Sequence, residues 1–363
     1  MREITAADID DICLGAAVLG TGGGGDPYIG GLITRAALRD HGPVRLLSLS
    51  EVADDAQIVT VGDMGAPTVG FEKLKAENQP VDAVLALQKH LGRKVDAVMP
   101  FEAGGSNSVM PIYIAAKLGL PVVDGDGMGR AFPEMQMLTF SVYGVRACPM
   151  ALADEHGNTV ILEVADDKRA EFIGRGVTIR MGARASIAGY AMDGATARRV
   201  SVPATMSLAQ EIGAAIRTAR HAGVDPVDAL IEMLAGTHYQ HGRRLFTGKI
   251  ADVARETRGG YAVGRVRIDP LTGDAPALEI TFQNENLVAR QGERLRAIVP
   301  DLICILDAEL ATPITTERLR YGQRVTVLGI SAPPIMRSDA ALQAFGPAAF
   351  GLDDAFVALE ALT

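Results

Sequence analysis

The alternation across residues 95 to 140 constrains this chain most. Val95 to Met99 reads as a strand, Ser106 to Leu118 as a helix, Pro121 to Asp124 as a second strand, and Pro133 to Phe140 as the start of another helix. That order is the grammar of a right-handed crossover unit in a parallel sheet covered by helices. The flanking segments fit it. Val44 to Leu49 and Gln57 to Val61 are short apolar stretches bounded by turn residues. Pro80 to Leu91 is helical, with Pro80 at a favourable first position. Residues 4 to 19 read as a helix capped by Thr5, with Asp8 three residues on and Ile4 and Ile9 as a hydrophobic staple. A second helix follows from Tyr28 to Arg39. Cys148 to Ala153 and Thr159 to Val164 read as a hairpin. Met206 to Ala222 and Pro226 to Ala235 are two further helices.

Near residue 240 the period changes. Tyr261 to Ile268, Leu278 to Phe282, Arg294 to Val299 and Arg324 to Leu328 are short strands, separated by Gly259-Gly260, Pro270 to Asp274 and Gln291-Gly292. Regular turns with few helices indicate a barrel or sandwich. The expected fold class is therefore α/β: an N-terminal layered α/β domain with a largely parallel sheet, plus a C-terminal β-barrel-like domain. The expected division is 1–240, 241–345, and a C-terminal helix, Asp353 to Leu362, that returns over 346–363 to the first domain.

Several function classes fall away on composition. With 35 Lys and Arg against 44 Asp and Glu, the formal charge is −9. Phosphate backbones need a basic field, so nucleic acid is not the expected partner. No stretch reaches about 18 uncharged apolar residues, so no membrane helix is expected. Asp8, Asp10 and Asp11 stand where a signal peptide would be apolar. The cysteines Cys13, Cys148 and Cys304 are far apart and form no CxxC, which fits a reducing compartment. A cytoplasmic location is the expectation.

Glycine is abundant, 40 of 363 residues, and many occur in runs. The loop Gly20 to Pro27 holds Gly22, Gly23, Gly24 and Gly25, followed by Asp26. Consecutive glycines let backbone N–H groups approach an anion; the alternative is a plain connector. The loop lacks the Lys-Ser/Thr of a Walker motif, and a helix precedes it where a dinucleotide fingerprint has a strand. No nucleotide cofactor is expected.

In open α/β sheets, ligands sit at the carboxyl ends of strands. The loops there are Pro100 to Asn107, with Glu102, Gly104, Gly105 and Asn107, and Asp124 to Glu134, with Asp126 and Arg130. Adjacent strand ends would cluster Glu102, Asp124 and Asp126. Such a cluster either raises one pKa for acid–base work or holds a divalent metal. Arg130 suits a substrate carboxylate, or else an i,i+4 pair with Glu134. His238 and His241 have a metal-ligand spacing, but Gly236 and Gly242 argue against the helix it needs. Gln283-Asn284-Glu285-Asn286 breaks a strand, to cap a turn or to face the cleft.

At Gly20 to Pro27, Gly65 to Val69, Glu102 to Asn107 and Asp124 to Glu134, the chain resembles the S-methyl thiohydantoin desulfurase family. The likeness continues through Gly248 to Ile250, Thr257 to Val266, Phe282 to Val288, Val299 to Leu306 and Leu319 to Gly322. The resemblance implies the same two-part fold and a place in hydantoin and sulfur-containing imidazole catabolism. It also implies a hydrolase in which water displaces a thiol from a thiohydantoin-type ring to give a hydantoin. On that expectation Asp124 or Asp126 is base or metal ligand, with Glu102 as partner. Arg130 holds a propionate-like tail, and the Gly22 to Gly25 amides stabilise an anion. The substrate is a small heterocycle and the protein a homo-oligomer. The alternatives are another cyclic-amide hydrolase, of hydantoin or oxoproline type, and a non-catalytic accessory subunit of a hydantoinase system.

Overall fold

The computed structural model describes residues 2–65, 69, 73, 76–258 and 261–362. Ala66 to Thr68 of the family-like motif, and the Gly259-Gly260 turn, lie outside the described residues.

The first sheet contains β1 (Arg2–Ile4), β2 (Val44–Ser48), β3 (Gln57–Gly65), β4 (Ala97–Pro100), β5 (Val122–Asp126), β6 (Met150–Ala153), β7 (Thr159–Leu162), β8 (Arg184–Asp193) and the short β9 (Val202–Pro203). Its order is β1-β2-β5-β4-β3-β8-β6-β7, with β9 paired to β5. The four central strands, β2, β5, β4 and β3, run parallel, as the strand–helix alternation requires. The rest pair antiparallel. One apolar layer joins the sheet to helices Tyr28–His41, Gln79–Leu91 and Met110–Leu118. A larger one continues from the other face into the second half of the molecule.

The second sheet is wholly antiparallel: β10 (Gly242–Arg258), β11 (Tyr261–Pro270), β12 (Leu278–Gln283), β13 (Glu285–Gln291), β14 (Arg294–Ile298), β15 (Leu302–Asp307) and β16 (Arg324–Ile330). The order is β14-β13-β12-β11-β10-β16-β15. It curls into a half-barrel, and Asn286 of β13 donates from Nδ2 to the Ile303 carbonyl of β15 at 2.8 Å. Alternation builds both faces of β15. Ile303 and Ile305 fill the half-barrel, while Leu302, Cys304 and Leu306 pack toward the first half.

Three local expectations are corrected, and three elements appear that the sequence reading had not placed. The first helix begins at Ile9, because Arg2–Ile4 pairs with β2 and Asp8 accepts the Thr5 N–H. Residues 133–138 are not helical, and only Thr139–Val142 forms a turn of helix. Met135, Met137 and Leu138 are all buried, so that segment has no exposed face to give a helix. Helices Asp167–Arg180 and Gly194–Val200 and strand β8 carried no sequence expectation. In the first of these, Gly174 and Gly176 and the branched run Val177, Thr178, Ile179 hide the helical signal. Finally, Asp353 to Leu362 is no helix. It is irregular, with a 3₁₀ turn at Leu359–Ala361. Asp301 holds the Leu359 N–H, and the Leu359 side chain fills the second core.

Candidate active site

Three loops and one hairpin turn meet beyond the carboxyl ends of β4 and β5. Ser106 N–H donates to the Gly24 carbonyl at 2.9 Å, and Ala131 N–H to the Leu19 carbonyl at 3.2 Å. From the second half, Asn286 N–H donates to the Thr21 carbonyl at 2.8 Å and Thr316 N–H to the Gly22 carbonyl at 2.7 Å. The glycine loop is thus stitched to both halves. Beside it opens a cleft of about 430 Å³. Gly24, Gly25, Asp26, Glu102, Asn107 and Glu134 line it, as the sequence reading placed them. Gly22, Gly23, Gly104, Gly105, Asp124, Asp126, Arg130, His238 and His241 do not.

Glu102, Glu171 and Glu285 are the buried acids of the cleft, and Glu171 is paired with Arg175. Glu102, just after β4, is 6% exposed; Glu285, at the start of β13, is 2% exposed. Asn107 Nδ2 donates to Glu102 Oε1 at 2.7 Å. The backbone amides of Phe132 and Gly24 favour the ionised forms of Glu102 and Glu285 respectively. In each case Oε2 is buried with no hydrogen-bond partner. Such an oxygen is costly unless protonated or met by a ligand. Burial, reinforced by the charge of Glu285, pushes the Glu102 carboxyl well above the usual range. Burial pushes Glu285 up to about 8, against the opposing pull of Arg130.

Glycine explains how Glu285 reaches this position. A Cβ on Gly23 would overlap the Glu285 carboxylate, and one on Gly24, at φ +70°, would collide with the Gly104 carbonyl. The run therefore makes room for the protein's own acid. Asn284, at φ +58°, forms the tight turn that starts β13. The polar tetrad divides: Asn284 and Glu285 line the cleft, while Asn286 ties strands together.

The other expected residues do different work. Asp124 accepts N–H groups of Met206 and Ser207 at 3.0 Å and the Ser207 hydroxyl. It caps helix Thr205–Ala222 and does not line the cleft. Asp126 is fully buried, accepting from Ala103 N–H at 2.5 Å and Gly129 N–H at 3.0 Å. Burial lifts it to about 7. It braces the two loops against each other. Arg130 is fully buried and makes no i,i+4 pair with Glu134. It donates to the carbonyls of Ala131 (3.1 Å), Pro300 (3.4 Å), Asp301 (2.9 Å) and Asn286 (3.0 Å), and to Thr21 Oγ1 (2.8 Å). All five of its N–H donors are engaged, so it is a clasp between the halves and not a holder for a substrate tail.

The donor set expected for a divalent metal is not assembled. Among the described residues, no group of three or more His, Cys, Asp or Glu side chains is placed to hold one. His238 is exposed and His241 half-buried, both away from the cleft. Burial pushes the thiols of half-buried Cys13 and buried Cys304 up to about 12. Among the described residues, no helix is long and apolar enough to cross a membrane.

An α/β layer and an antiparallel half-barrel, meeting over a cleft with one buried acid from each, define the class of protein. Residues 7–164 match the model of the S-Me-THD-like N-terminal domain, and residues 165–359 that of the S-Me-THD-like C-terminal domain. The chain belongs to the S-Me-THD-like family, in agreement with the desulfurase resemblance of its motifs. Its fold is similar to a crystal structure of a protein from Chromobacterium violaceum, with a TM-score of 0.84 and 27% identity over 99% of this chain and 100% of that one. No curated protein matches the sequence.

Proposed function

We propose that this protein is a hydrolase in which water displaces methanethiol from an S-methyl thiohydantoin-type ring, leaving a hydantoin. The observation that carries this reading is the buried pair Glu102 and Glu285, each with an unpartnered oxygen at the cleft. The family name supplies the ring class. In the ionised form, Glu285 takes a proton from water as its oxygen bonds to the ring carbon that bears sulfur. Protonated Glu102 gives its proton to the adjacent ring nitrogen, which receives the electrons of the C=N bond. The tetrahedral adduct then breaks its C–S bond. Sulfur leaves with the proton held by Glu285, and the ring nitrogen keeps the one from Glu102 while the new C–OH returns a proton to Glu102 as it becomes C=O. Asn107 orients Glu102, and the Gly24 amide favours the ionised form of Glu285. Two carboxyls in unlike environments suit these opposite roles.

The test is methanethiol release from an S-methyl thiohydantoin by the purified chain, followed with a thiol reagent from pH 5 to 9. The expected kcat/KM rises toward pH 8 as Glu285 loses its proton. Release of a ring-opened acid without thiol would instead support a cyclic-amide hydrolase. No turnover by the chain alone would overturn the reading.

A further inference from the structure

The acid pair also carries a statement about which rings fit. Lys73, Arg175, Arg184 and Arg318 line the cleft, and each meets a carboxylate of its own: Glu155 at 2.6 Å, Glu171 at 2.6 Å, Asp63 at 2.7 Å, and Asp26. Arg130 lies behind Glu285 with its donors already engaged. The two unpartnered oxygens, Oε2 of Glu102 and Oε2 of Glu285, are buried without a protein donor and belong to side chains, more than nine-tenths buried, that line the cleft. They are acceptors when ionised, and two acceptors in a dry site match a ligand that presents paired N–H donors on one planar carbon. That is the N–C–N fork of an amidine, whose ring and exocyclic N–H groups point the same way; a lactam has a single N–H, and the two N–H groups of a hydantoin diverge about the carbonyl between them.

Building on the hydrolase reading above, we propose that Glu102 and Glu285 grip the N–C–N fork of a cyclic amidine, so that the site accepts cyclic guanidines as well as S-methyl rings and releases ammonia from them. The step balances without a further reactant. Water oxygen bonds to the guanidine carbon, and one proton passes to a carboxylate. The exocyclic C–N bond breaks, and the amine leaves as ammonia with that proton. The adduct's hydroxyl proton passes to the other carboxylate, and the ring keeps oxygen as the urea carbonyl, so the bound guanidinium cation yields the ring urea, ammonia and one carboxyl proton. Nothing is oxidised or reduced.

Two measurements on the full-length chain decide it. The first is ammonia release from a 2-imino analogue of hydantoin, assayed beside methanethiol release from the S-methyl ring. The second is protection by acetamidinium, followed by thermal shift, with acetamide and tetramethylammonium as controls. Ammonia release, together with protection by acetamidinium alone that weakens at least tenfold in Glu102→Gln or Glu285→Gln, is the expected result. Methanethiol release with no ammonia overturns this proposal and leaves the parent reading standing. Ammonia release with no methanethiol keeps the fork and overturns the parent reading. Neither product overturns both. Equal protection by acetamidinium and tetramethylammonium overturns the fork, since only charge is then recognised. The wild-type assays do not depend on whether either variant folds.

Discussion

Two pairs of acids lie near the ends of the same parallel strands, and they differ in one respect. Asp124 and Asp126 have N–H or hydroxyl donors on both carboxylate oxygens. Glu102 and Glu285 each keep one buried oxygen without a donor. The first pair is structural: its charge is absorbed by a helix end and by loop amides. The second pair is the one the proposed reaction uses. Acidity and position are common to both pairs, so the count of satisfied oxygens is what separates support from site.

The largest effect should come from neutralising the unsatisfied pair. Glu285→Gln should lower kcat for methanethiol release by a factor of about 100 to 10,000, with the circular dichroism spectrum unchanged. Retained turnover would erase the distinction between the two pairs. Next in size, Gly23→Ala should push Glu285 out of place and lower kcat by roughly tenfold or more, because a misplaced catalytic group loses much of its rate advantage. An unchanged kcat would show that the acid does not need the glycine run.

The satisfied pair should behave in the opposite way. Asp124→Ala should lower stability by about 1–2 kcal/mol through loss of the helix cap, read by denaturant unfolding, with kcat per folded molecule unaltered. A kcat loss as large as that of Glu285→Gln would return Asp124 to the site. The smallest effect concerns pH. Unfolded Glu285 ionises at its ordinary value of 4.5, and folded Glu285 at about 8. Between these values the folded chain keeps a proton that the unfolded chain has released, so rising pH favours unfolding. Glu285→Gln removes that slope. Its melting temperature should exceed wild type on the order of 2 °C at pH 8 and match it at pH 4.

Much of the fold was legible because local pattern and tertiary environment agree. The crossover from Val95 to Asp124 and the turn-punctuated strands after residue 240 carry their periods openly. Helix Asp167–Arg180 does not, since Gly174, Gly176 and the branched run Val177, Thr178, Ile179 weaken its helical pattern. Within the site, Glu102, Asn107, Asp26 and Glu134 were legible from their loops. Glu285 was visible only as one of four polar residues with two readings, because its role depends on a loop more than 250 residues earlier. Arg130 shows the reverse case. A lone arginine after a strand looks like a ligand anchor, and only the carbonyls that surround it in three dimensions reveal a clasp.

Strand β8 has a consequence for how this protein can be divided. It belongs to the second matched segment, yet it pairs between β3 and β6 of the first. Cutting the chain between 164 and 165 would open two sheet edges in one fragment and leave a lone strand in the other, a sticky combination. Each fragment would also hold one of the two acids. The segments are therefore not interchangeable modules: Glu102 and Glu285 come to one cleft only after both have interleaved.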